Sequence, residues 1–89
     1  MSTSFKRVLI KREAVIRAMD DFDDLYPTTN DYENWLNKDT YKYAIRYRGR
    51  LYPPKHLLSE ISGFPTTEFS GGEQTNRVFR QLGFEVGYK

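Results

Sequence analysis

The sequence predicts an α+β fold, a small three-stranded antiparallel sheet packed by about four short helices in the order ααββααβ. Three observations carry that expectation. Residues 11–25 repeat apolar side chains at helical spacing, and residues 41–48 alternate with the period of a strand. Pro53-Pro54, Gly63 and Gly83 stand where later helices would begin and end.

A chain of 89 residues is near the small end of what folds alone, so one domain and one core are expected, with 1–5 and 87–89 frayed. Apolar residues make up only 38%, but six Phe, seven Tyr and one Trp are among them. Much of the core must therefore be built from rings, each burying about 150–250 Å². Cysteine is absent, which excludes a disulfide framework and a thiolate zinc site. Val8-Leu9-Ile10 is too short for a leader or a membrane span. The expectation is a cytoplasmic protein that meets no membrane.

The first helix spans 11–25, with Val15, Met19, Phe22 and Leu25 on one face and Lys11, Arg12, Arg17, Asp20, Asp21 and Asp24 elsewhere. Its acids gather at the C-terminal end, against the helix dipole, so neighbouring bases must compensate them or another role retains them. Pro27 ends it. A second helix is expected over 32–38, capped by Asp31 or Asn30 and anchored by Trp35.

The strand follows. Tyr41, Tyr43, Ile45 and Tyr47 alternate with Lys42, Ala44, Arg46 and Arg48, which predicts an aromatic face turned to the core and a basic face turned outward. Gly49 permits a tight turn, and Leu51-Tyr52 begins the return. Proline suits a first helical turn, so Pro53-Pro54 opens a third helix over 55–61, closed by Gly63. Residues 64–69 read as a loop. Ser70-Gly71-Gly72 leads into a fourth helix over 73–82, Gly83 ends it, and residues 84–86 form the third strand.

No catalytic residues, cofactor or metal site is expected. His56, the only histidine, reads as a surface residue of the third helix, and the central acids are scattered. Ser70 lacks the flanks of a nucleophile elbow. Charge is more informative in its layout than in its total of +2. Residues 1–19 hold five bases and Glu13, residues 20–39 hold seven acids and Lys38, and residues 40–89 hold eight bases and four acids.

Within the last group, Lys42, Arg46, Arg48, Arg50 and Lys55 come with no acid between them. Such a stripe either neutralises several phosphates or is an ordinary solvated strand face. Tyr41, Tyr43, Ile45 and Tyr47 read as core ahead of a base-stacking platform, whereas Tyr52, beside the turn, reads as free to stack on a base or bond a phosphate. Ser70-Gly71-Gly72 also has two readings. Ser70 caps the helix and the glycines make the turn, or the backbone N–H groups hold a phosphate with help from Gln74, Thr75, Asn76 and Arg77.

Residues 43–55, Tyr-Ala-Ile-Arg-Tyr-Arg-Gly-Arg-Leu-Tyr-Pro-Pro-Lys, then Phe69-Ser70-Gly71-Gly72 and Leu82-Gly83-Phe84-Glu85-Val86, resemble the N-terminal head domain of McrA-type modification-dependent HNH endonucleases. The resemblance covers about half of the chain. It implies a DNA-recognition module of a restriction or defence system, with methylated cytosine as the implied target and Arg50, Tyr52, Lys55, Ser70, Gly71, Gly72 and Asn76 as first positions to test. The HNH nuclease half is absent, so cutting would fall to a fused or separate nuclease domain.

The leading expectation is therefore a binder of double-stranded DNA, without enzymatic activity of its own. Its candidate contacts are Lys42, Arg46, Arg48, Arg50, Tyr52, Lys55, Ser70, Gly71, Gly72, Asn76 and Arg77. The alternative is a protein-interaction module or a phage-encoded inhibitor acting through the acidic segment 20–39.

Overall fold

The computed structural model describes residues 1–25, 42–69 and 72–88. The second helix expected over 32–38 lies outside these residues, as do Tyr41, Ser70 and Gly71. The described elements are β1 (Ser2–Phe5), β2 (Val8–Lys11), α1 (Arg12–Leu25), β3 (Tyr43–Tyr47), β4 (Arg50–Tyr52), α2 (Pro54–Ser62), a 3-10 turn (Thr66–Glu68), α3 (Glu73–Gln81) and β5 (Glu85–Tyr88). The class is α+β, with antiparallel pairing throughout.

The opening hairpin departs from the expectation that residues 1–5 fray. β1 pairs with β2 from Ser2 opposite Lys11 to Phe5 opposite Val8. Lys6 and Arg7 form the turn, both with left-handed backbone, at φ 49° and 69°. That backbone suits a two-residue hairpin, but the usual Asn-Gly or Gly signal is missing, so the turn is invisible to composition. Contacts from the far end of the chain hold it in place. The Phe5 ring packs edge-to-face with Phe64 and Phe69 at 6.1 and 5.3 Å and Thr3 bonds Gln81, while within the N-terminal segment itself the Arg12 amide donates to the Met1 carbonyl.

Helix α1 starts one residue beyond its predicted start and buries Val15, Ala18, Met19 and Phe22. These pack toward α2, whose Leu57 and Leu58 are fully buried. Helix α2 begins at Pro54, where the missing amide costs no helical bond, and ends at Gly63. Gly63 has φ 83°, and its N–H returns to the Ser59 carbonyl at 2.9 Å. That left-handed closure is the reason a glycine stands there.

The three-stranded sheet has the order β4-β3-β5. Ile45 lies between Tyr52 on one side and Val86 on the other, and Arg46 between Leu51 and Glu85. The aromatic face turns inward as the alternation predicts, with Tyr47 edge-on to Phe84 at 5.4 Å. The outward face is less open than the alternation implies, because Ala44 is fully buried between Lys42 and Arg46. β5 runs to Tyr88, through residues expected to fray.

Helix α3 buries Thr75, Asn76, Val78 and Phe79. Its N-cap is Gly72, with no side-chain bond there, so the cap position belongs to Gly72 and not to Ser70. Residues 66–68, expected as loop, make the 3-10 turn.

Candidate nucleic-acid interface

The hairpin tip is built as a clamp on α1. Arg48 and Gly49 form its two-residue turn, with φ 57° and 70°, and bring Arg48 over the acidic end of the helix. The Arg48 guanidinium bonds Asp20 at 2.5 Å and lies 5.1 Å above the Tyr47 ring. Asp20 raises the Arg48 pKa further, so this charge is permanent and partnered. The unfavourable acids at the end of α1 are thus answered by bases of the hairpin, across 28 residues of chain.

Arg50 and Tyr52 share the next acid along the helix. Arg50 Nε stands 2.9 Å from Asp23 Oδ1, and Tyr52 donates its hydroxyl to Asp23 Oδ2 at 2.7 Å. The N–H of Arg50 is not directed at Oδ1, so that contact is an ion pair and not a well-formed hydrogen bond. Tyr52 has 0% exposure, which corrects the expectation that it is free for a base or phosphate. Its ring meets Phe22 edge-on at 5.7 Å. Burial, and then the bond and charge of Asp23, push its phenol well above the usual tyrosine range.

The remaining candidates fall elsewhere. Lys42 and Arg46 are exposed, and the Arg46 guanidinium reaches the Tyr88 carbonyl at 3.4 Å. Lys55 is half-buried, with Nζ 5.9 Å from the centre of the Phe69 ring, in agreement with a stem that covers an aromatic. Gly72 is half-buried at the head of α3, and Arg77 is exposed. Asn76 is fully buried, and neither its amide nitrogen nor its oxygen has a hydrogen-bond partner. Ser70 and Gly71 lie outside the described residues.

The five-residue basic stripe is therefore divided. Arg48 and Arg50 are held by carboxylates, while Lys42, Arg46 and Lys55 make no ion pair with a described residue.

Lys6 is the contributor that sequence reasoning missed. Its ammonium donates to the Glu68 carbonyl and lies 5.8 Å from the centre of Phe5 and 5.5 Å from that of Phe64. Phe5 also touches Phe69, which carries Lys55. Two ammonium groups from opposite parts of the chain thus flank one aromatic trio, and Phe69 ends just ahead of the segment leading to Gly72 and α3. Exposed Arg7 stands beside Lys6 in the strained turn. The only sequence signal was the basic pair Lys6-Arg7, in a stretch without helical period.

The arrangement can hold anions by charge. Among the described residues no group of three His, Cys or carboxylate side chains could hold a metal ion, and no helix is long and apolar enough to cross a membrane. The fold defines an α+β domain with a cationic, aromatic-backed surface. Comparison with protein-family models, with curated proteins and with solved structures finds no match.

Proposed function

We propose that the chain is a DNA-binding module of a restriction or defence system, working in the cytoplasm beside a nuclease domain or partner that does the cutting. One observation carries this reading most directly, the convergence of Lys6 and Lys55 on the Phe5, Phe64 and Phe69 cluster ahead of α3. Neither ammonium forms an ion pair with a described carboxylate, so phosphate can approach without first displacing one. The resemblance to the McrA-type head domain supports DNA as the polyanion and methylated cytosine as the modification to test.

In this reading the centre of the interface moves from the hairpin tip to Lys6, Arg7 and Lys55, with Lys42, Arg46 and Arg77 as outlying cations. The acidic alternative loses part of its material, because Asp20 and Asp23 are occupied by Arg48 and Arg50.

The test is a salt titration of binding to a duplex with and without 5-methylcytosine. Three neutralised phosphates correspond to a log–log slope of about −2.7. Lys6→Ala and Lys55→Ala should weaken binding to both duplexes alike, since phosphate contacts carry no sequence information. Absence of duplex binding at about 50 mM salt, where electrostatic binding is strong, would overturn the proposal.

A further inference from the structure

A second aromatic feature borders the start of α3, and the clamp does not use it. Tyr43 and Tyr88 stand directly opposite each other on β3 and β5, with ring centroids 5.0 Å apart and planes 23° from parallel. Tyr43 is half-buried, whereas Tyr88 is 68% exposed, so one face of the Tyr88 ring is covered and the other meets solvent. The neighbouring Tyr88 phenol raises the Tyr43 pKa. Apart from Met1, Tyr88 is the most exposed large hydrophobic residue among those described, and it is held flat by a partner instead of hanging free.

The charges around the pair are ordered too. Arg46 lies against the Tyr88 carbonyl at 3.4 Å, and Arg80 against the Val86 carbonyl at 3.4 Å. These carbonyls are two residues apart on one strand, roughly 7 Å by the rise of a β-strand. Arg80 also bonds Glu73 at 2.8 Å, which neutralises the carboxylate nearest the head of α3. Glu85 faces Arg46 across the strands without forming an ion pair.

We propose that the open face of Tyr88 is a stacking platform for one unpaired nucleobase, with Arg46, which makes no ion pair with a described carboxylate, taking a neighbouring phosphate. A flat ring backed by a second ring offers a π-face that any base can cover, and the nearby Arg46 guanidinium supplies charge that a nucleotide strand needs and an apolar peptide does not. The inference rests on the proposed nucleic-acid function and deepens it. It assigns an unpaired base to one end of the sheet, apart from the phosphate contacts of Lys6 and Lys55.

The experiment compares the full chain binding a labelled 12-mer of oligothymidine with its binding an abasic phosphodiester 12-mer of equal charge. The base-bearing strand should bind roughly 5- to 150-fold tighter, the range expected for one stacked base. Tyr88→Ala should abolish that preference while Tyr88→Trp retains it, with folding of each variant checked by circular dichroism. Duplex binding should be little changed in both. Equal affinity for the two strands, or a preference that survives Tyr88→Ala, would overturn the platform even where duplex binding persists. Loss of all binding to duplex and single strands would instead overturn the underlying function as well.

Discussion

Asp23 accepts the Tyr52 hydroxyl at 2.7 Å through one carboxylate oxygen and holds Arg50 at 2.9 Å with the other. A single acid thus fastens the end of α1 to both the inner and the outer part of the returning strand. Tyr52 is completely buried, so loss of its acceptor would leave a hydroxyl without a partner in the core.

Asp23→Ala should therefore destabilise the domain by about 2 kcal/mol, the combined cost of an orphaned buried hydroxyl and a partly shielded ion pair. The pair is discounted because the Arg50 and Asp23 side chains keep 24% and 33% of their exposure. Urea unfolding measures this directly. A loss below about 0.5 kcal/mol, the range of ordinary surface changes, would show that the clamp contributes little.

Tyr52 also gives the domain an alkaline limit. Its folded pKa lies above its unfolded value near 10, so its contribution is complete below pH 10 and declines as the unfolded phenol ionises and the folded one does not. The stability advantage of the wild type over Tyr52→Phe should be about 1 kcal/mol smaller at pH 11 than at pH 8. Unfolding curves of the two proteins that stay parallel across that interval would contradict the assignment.

The opening turn stores strain at Arg7, which has φ 69° and no described partner. A left-handed residue with a Cβ costs about 1–2 kcal/mol, and glycine returns part of that gain through unfolded-state entropy. Arg7→Gly should raise stability by about 0.5 kcal/mol, whereas Arg7→Ala should not. The comparison is made by thermal unfolding below 20 mM salt, and a less stable glycine variant would mean that the turn is not strained.

The hairpin tip and the Lys55 side can be ranked by salt dependence. Lys55→Ala should lower the duplex salt slope by about 1, the signature of one lost phosphate contact. Arg48→Ala should leave the slope unchanged, because phosphate would have to replace Asp20. It should cost under about 1 kcal/mol of stability, since both partners of that pair remain largely exposed. The reverse ranking in slope would return the interface to the tip.

Several elements are legible in the sequence. Val15, Met19 and Phe22 recur at helical spacing, Gly63 and Gly83 stop helices through backbone that glycine adopts freely, and Tyr43, Ile45 and Tyr47 share one strand face. Each of these signals is contained within a few consecutive residues. The first hairpin was not legible because Lys6-Arg7 lacks turn chemistry, and its register depends on Phe5 meeting Phe64 and Phe69 from much later in the chain.

The candidate site divides along the same line. The sequence determined that bases outnumber acids after residue 40 and that they alternate with rings, since charge and strand period are local properties. Which of those bases remain unpaired was decided by tertiary packing alone. The end of α1 comes to rest against the hairpin, so Asp20 and Asp23 neutralise Arg48 and Arg50, while Lys6 is carried to the Lys55 side by the core contacts of Phe5. Electrostatic partnership falls off with distance in space, and separation along the chain does not predict it.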